Sequence, residues 1–434
     1  MPALERARPL AGESLPAAAN AKLVLFLLSP RLIDFDTYLP TALALKEARP
    51  GWDIRFVTLS RANAESIARN PTLTAGLARC GTLACLEASD AGGWLARQWA
   101  RMRHVAAVSG WLLGARRPVL FSGVTFGALP YLVWYLAAKA RGGRALVLLK
   151  SRATEDNHQL AERERQAGLS QEPRGVVERV TGPLYDGLIR YHDQQEMQLY
   201  GMRLHGRVPR ERQLKLGLPN LAPAWRTLIA DETAAERARL GRLGHDMRAE
   251  VYTFFPVKGF GARTLRTPDS PADTFRLVLK TLRRLRPGAL ILIRLHPVAE
   301  NDAFVHQTLA EMDDPNIVIT RAHPEVLIAM SRRVIFNGPT NIQTTCLGGR
   351  FIDCTDYSPR HYAEMGERSL VEGYGTVFVR PTGEDFEARL ARALGDDSLF
   401  AASEVEAKRQ ALVAENPFTL APLLAWMERG VSPA

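Results

Sequence analysis

Only four cysteines occur in the 434 residues, and they are scattered: Cys80 and Cys85 lie near one apolar run, Cys346 and Cys354 flank another. No CxxC pair exists, which argues against a structural zinc site and a disulfide framework and fits a reducing cytoplasm. Acidic residues are in deficit. The formal net charge is +10, so an anionic partner is expected: phosphorylated or acidic-sugar substrates, a membrane surface or nucleic acid. No stretch clusters basic with aromatic residues, so nucleic acid is the poorest fit of these. Residues 1–21 carry charges and prolines but no apolar core, and read as a flexible tail rather than a signal peptide. One long uncharged run, Pro118 to Ala138, has the length of a membrane span. Gly123, Gly127 and Pro130 divide it, so a buried strand followed by a buried helix is expected instead. An interfacial contact suits this run better than a span.

What is present is an alternation of apolar runs with helical patterns. In the first half the strand candidates begin at Lys22, Asp53, Gly81, Pro118 and Arg144, and PLYDGLIRYHD reads as a last strand. In the second half they begin at Glu250, Ala289, Asn316, Arg332, Arg350 and Thr376. Continuous apolar strands separated by helices predict parallel sheets buried on both faces, hence an α/β fold of two Rossmann-like domains facing across a cleft. The expected division is a tail over 1–21, a first domain over 22–222, a second over 223–415, and a C-terminal helix over 416–434. A Gly/Pro-rich connection around Pro219 to Pro223 marks the junction.

Ligands of open α/β sheets bind at the carboxyl ends of the strands, so chemistry is sought there. In the second half, IRLHPVAE puts Arg294, His296 and Pro297 at one strand end. FNGPTNIQTTCLGG follows another strand with Gly338, Thr340, Asn341 and Thr344 around a helix start, where backbone N–H groups and the helix dipole attract an anion. A third loop, after the first strand of this half, carries Lys258, Gly259 and Arg263; it is neither a Walker A loop nor a GxGxxG fingerprint. Asp356, Tyr357 and Ser358 are candidate nucleoside contacts, and Glu364 a ribose contact.

His296-Pro297 and the Thr340 to Thr345 helix start resemble the second half of GT-B glycosyltransferases. The families concerned have an HP motif: bacterial sialyl- and polysialyltransferases, capsule or lipopolysaccharide Kdo transferases and teichoic-acid polymerases. The resemblance implies that His296, Thr340 and Thr344 hold the phosphate of a CMP- or CDP-linked donor. It implies a metal-independent enzyme of bacterial surface-polysaccharide synthesis that uses a nucleotide sugar as co-substrate and no other cofactor. The donor it favours is a CMP-linked acidic sugar such as Kdo or sialic acid. The acceptor would be an anionic glycan or glycolipid, and the location the cytoplasm or the inner membrane face. Such enzymes take a catalytic carboxylate from the first domain in an acidic-acidic-Gly motif, from which this sequence departs. Glu155 and Asp156, after the strand RALVLLK, lack the glycine; Tyr185-Asp186-Gly187 has one acid; Asp34 and Asp36 form the only DxD; His192-Asp193 is a further pair. The rival readings are a nucleotide-sugar 2-epimerase and a non-catalytic polysaccharide-binding module with the same fold.

Overall fold

In Leu23–Leu28, Val119–Ser122 and Val251–Phe255 every residue is buried, so the apolar runs lack the alternation of a half-exposed strand. The computed structural model describes residues 22–29, 32–86, 94–123, 126–127, 129–149, 184–191, 210–256, 265–267, 270–295, 303–337, 349–369, 376–401, 407, 410–411 and 413–429. Their strands form two parallel sheets. The first is built from β1 (Leu23–Leu28), β2 (Asp53–Thr58), β3 (Thr82–Cys85), β4 (Val119–Ser122), β5 (Arg144–Leu148), β6 (Gly187–Arg190) and β7 (Gln213–Lys215). The second comprises β8 (Val251–Phe255), β9 (Leu290–Ile293), β10 (Ile317–Ile319), β11 (Arg333–Phe336), β12 (Phe351–Asp353) and β13 (Thr376–Phe378). Their orders are β3-β2-β1-β4-β5-β6-β7 and β10-β9-β8-β11-β12-β13. Each therefore contains the Rossmann order, in which the chain leaves the central strand first to one side and then to the other.

Among the described residues, the first unit takes in those up to Leu228 and, returning, those from Asn416 on; the second runs from Ile229 to Glu415. In the first, Phe26 stands level with Phe56 on one neighbour and Phe121 on the other, at ring separations of 5.0 and 4.6 Å. These stacked rings pack under the helix Leu32–Ala48, while Leu25 and Leu27 face Val108, Leu112 and Trp134 of the helices Trp94–Gly114 and Tyr131–Ala140. The helix Ala421–Arg429 packs on this sheet through its buried Trp426, over β6. A Cβ on Gly187 would lie 1.5 Å from the Trp426 ring, so the strand there must be glycine. Gly217, at φ +82°, lets the chain pass against the Pro417 carbonyl.

The second unit is held by Phe275, Val278, Leu279 and Leu282 of the helix Ser270–Leu285, an i, i+3, i+4, i+7 stripe against β8 and β9. One feature departs from the sequence reading and one agrees with it. PLYDGLIRYHD is not the last strand of its sheet: Gln213–Lys215 adds β7, too short and too polar to stand out. The charge-free run Pro118–Ala138 splits as expected into β4 and the helix Tyr131–Ala140, and among the described residues no helix is long and apolar enough to cross a membrane.

Candidate functional site

All six strands of the second sheet point the same way, so their carboxyl ends share one edge. The order reverses between β8 and β11, and a crevice forms at such a switch point. Phe336 is level with Phe255 and Ile293 with Phe254, so Pro256, Arg294 and Asn337 leave three adjacent strands about one strand spacing (~5 Å) apart. The loops that begin there carry Lys258, His296, Pro297, Gly338, Thr340, Asn341 and Thr344, all of which lie outside the described residues.

The described residues at this edge are well anchored. The Arg294 backbone N–H donates to the Phe254 carbonyl (3.2 Å) and its Nε to the Ala322 carbonyl (2.8 Å), which fixes the half-buried side chain at the strand end. Asn337 is buried and donates from Nδ2 to the Pro271 carbonyl (2.9 Å), tying β11 to the start of the helix Ser270–Leu285. After β12, Asp353 is fully buried and accepts from the hydroxyls of Thr355 (2.5 Å), Tyr357 (2.7 Å) and Ser369 (2.5 Å) and from the Thr355 N–H (2.8 Å). Burial raises its carboxyl above the ordinary range, against the pull of these donors.

This network assigns fold roles to the proposed nucleoside contacts. Tyr357 is buried, spends its hydroxyl on Asp353 and stacks on His361 with centroids 4.0 Å apart. Asp356 receives Arg266 Nε at 2.8 Å, and Ser358 Oγ caps the helix Pro359–Met365 through the His361 N–H (3.2 Å). Those positions hold the loop. The side chain of Glu364 lies outside the described residues. Asp353 and its hydroxyls escaped the sequence reading, because a donor sixteen residues away at Ser369 leaves no local pattern.

At the first sheet, the switch point falls between β1 and β4. Asp34, in the first turn after β1, is fully buried and accepts the Ser29 N–H at 2.8 Å. Around it stand Tyr38, Tyr131 and Tyr191. Burial, and next the Asp34 charge, raise the hydroxyls of Tyr38 and Tyr131; burial likewise raises Tyr191, with a smaller push from Asp34. Tyr38 donates to the Leu148 carbonyl and Tyr191 to the Thr37 carbonyl, each at 3.3 Å, so they link β5, β6 and the first helix at this edge. Asp36 is half-buried on the same helix. Glu155, Asp156, His192 and Asp193 lie outside the described residues.

Asp186 belongs elsewhere. It precedes the first residue of β6, at the edge opposite the strand carboxyl ends, where it accepts from Lys139 Nζ and the Ala145 N–H, both at 2.8 Å. Its pairing is structural, which removes Tyr185-Asp186-Gly187 as a carboxylate motif. Among the described residues, no three His, Cys, Asp or Glu side chains gather in a way that would hold a metal ion. Burial pushes the Cys80 thiol up to about 12 and Cys354 well above its ordinary value, so neither is a nucleophile.

A UDP-GlcNAc 2-epimerase from Neisseria meningitidis, solved with UDP-GlcNAc, superposes with a TM-score of 0.52 at 12% identity, over 94% of this chain and all of that one (100%). The fold is GT-B. A putative UDP-N-acetylglucosamine 2-epimerase from Listeria monocytogenes gives 0.50 at 12% identity, over 95% and 98% of the two chains. A glycosyltransferase from Rickettsia africae gives 0.47 at 10%, over 96% and 100%. No family model matches the sequence, and no curated protein matches it. The likeness is one of fold, and function must be argued from the site.

Proposed function

We propose that this chain is a nucleotide-sugar-dependent glycosyltransferase whose second unit binds the donor. The observation that carries the reading is the meeting of three loop origins, Pro256, Arg294 and Asn337, at the switch point of the second sheet. The sequence that follows each origin supplies a cation or hydrogen-bond donors for an anion: Lys258, His296 with Pro297, and Gly338 through Thr344. As the bond to the sugar breaks, charge grows on the leaving phosphate, and fixed donors there stabilise the transition state more than the ground state.

The HP motif favours a CMP-linked acidic sugar as donor, and the excess of basic residues favours an anionic glycan or glycolipid acceptor at the inner membrane face. A carboxylate from the first half of the sequence, Glu155, Asp156 or Asp34, would take the proton of the attacking hydroxyl. Asp34 is the most deeply buried of the carboxylates described there, and its hold on Ser29 already gives it a fold role. Glu155 and Asp156 are therefore the first to test.

A second reading, a 2-epimerase, is favoured by the two superpositions at TM-scores of 0.52 and 0.50, one on a UDP-GlcNAc 2-epimerase and one on a putative one. Thermal melting with CMP, CDP, UDP and ADP decides the nucleotide. Stabilisation by CMP alone supports the transferase with an acidic sugar; stabilisation by none sinks the donor site. Inversion of C2 of the sugar of UDP-GlcNAc with no acceptor present would establish the epimerase instead.

A further inference from the structure

From Ala91 to Thr154 the sequence holds ten Lys or Arg and not one Asp or Glu. Two helices of the first unit lie in this stretch, Trp94–Gly114 and Tyr131–Ala140. They run side by side in register: Trp134 Nε1 donates to the Val105 carbonyl and Arg141 Nε to the Ala115 carbonyl, both at 3.3 Å. On the first, Trp99, Met102, Ala106, Gly110 and Leu113 fall on one helical stripe, opposite the buried Val108 and Leu112, and all five are exposed. Trp99 is 70% and Met102 63% exposed; Leu129, just before the second helix, is 74% exposed and Leu136 57%. These residues and Leu113 make five of the nine exposed large hydrophobic side chains among the described residues. Arg103 is exposed next to Met102 in the sequence, and Arg116, Arg117 and Arg141 are exposed past the other ends of the two helices, on the side of Leu113.

A globular surface does not gather tryptophan, methionine and leucine this way without use. We infer that this two-helix face docks onto the surface of an anionic lipid bilayer, with Trp99, Met102 and Leu129 entering the interface and the arginines meeting lipid phosphates. Charge selects the occupant. A second copy of the chain would bring an identical cationic, acid-free face against this one, which repels. Nucleic acid would satisfy the arginines but leave the apolar stripe in water. Register places Trp99 and Leu129 toward the carboxyl edge of the first sheet, the end at which Tyr131 approaches Asp34. If the transferase reading holds, on which this last step rests, the acceptor is borne by a lipid.

The test is co-sedimentation of the full chain with phosphatidylcholine vesicles, alone or containing about one-third phosphatidylglycerol, which supplies the surface potential. Wild type is expected to bind the anionic vesicles and not the neutral ones. At about fivefold per arginine, R103E/R116E loses at least ~25-fold in partitioning. The apolar variant W99S/M102S/L113S loses on the order of tenfold. Both alter exposed side chains, so an unchanged melting temperature certifies the fold. Absence of wild-type binding, or binding retained by both variants, overturns the inference. So does a concentration-dependent dimer that the same variants abolish, which would assign the face to a second copy. The nucleotide-induced melting shift is read in parallel. Lost vesicle binding with an intact shift concerns docking alone, and an absent shift with intact docking concerns the transferase reading alone.

Discussion

Past β1 of the first sheet, the groups brought together are Asp34, Tyr38, Tyr131 and Tyr191: one carboxylate among buried hydroxyls, tied to the strand ends by carbonyl contacts. Past β8, β9 and β11 of the second sheet, the corresponding edge begins with Arg294 and Asn337 and leads into loops rich in cations, glycine and threonine. Both sheets wind the same way, so topology only chooses where a ligand goes. What the edge carries decides which ligand. An edge followed in sequence by cations, glycine and threonine suits phosphate, and one with carboxylates and hydroxyls suits a proton acceptor's role. The support differs too: the first sheet borrows the helix Ala421–Arg429 from the far end of the chain, whereas the second is stiffened from within by the buried Asp353.

That contrast is broken most severely at Trp426. Its ring fills the space that Gly187 leaves, so Trp426→Ala should cost about 4 kcal/mol, as for a large aromatic removed from a core. Gly187→Ala should destabilise through the same contact, and the double variant should lose less than the sum. Denaturant unfolding read with hydrogen exchange is expected to show the loss in the first sheet; loss confined to the second would contradict the division of the chain. Next is Asp353→Ala, expected to cost about 3 kcal/mol because three buried hydroxyls lose their acceptor. Its exchange signature should appear around β12 and the helix Pro359–Met365 and spare the first sheet.

Smaller, and on function rather than stability, is the phosphate edge. His296→Ala should abolish the nucleotide-induced melting shift, and Arg294→Ala should weaken nucleotide binding by about 2 kcal/mol, some thirtyfold, the scale of a charge-assisted hydrogen bond. Glu155→Ala and Asp156→Ala should leave that shift intact while one of them loses turnover. Nucleotide binding lost in the Glu155 or Asp156 variants instead would mean that the two edges do not divide the labour in this way.

Strand positions were largely legible, because parallel strands buried on both faces read as unbroken apolar runs; all six of the second sheet fall within the segments picked out. β7 was not, since Leu214 is its one buried residue and pairing to β6 rather than composition makes it a strand. At the sites, strand-end residues such as Arg294 were readable from their place after an apolar run. The burial of Tyr357 and Ser358 was not, because their partners Asp353 and His361 act through the turn geometry. Nor was the edge that Asp186 occupies, since a polar residue beside a short strand has the same local sequence at either end.

The smallest effect concerns the joint between the first strand and the returning helix. Lys22 Nζ donates to the Met427 carbonyl at 2.5 Å and lies 5.1 Å from the Trp52 ring centre. Burial lowers this ammonium to about 8, partly offset by the charge of Glu428. The folded form thus releases its proton at lower pH than the unfolded form, which holds it to about 10.5. Between those values the unfolded state binds more protons, so this group makes stability rise with pH; below about 8 both states are protonated and the burial cost is present in full. Partial exposure leaves the effect below about 1 kcal/mol. Lys22→Met should flatten the dependence between pH 8 and 10 relative to wild type while leaving the second sheet's exchange unchanged. Equal slopes in the two proteins would show that the ammonium stays hydrated and that Trp426, not Lys22, carries the joint.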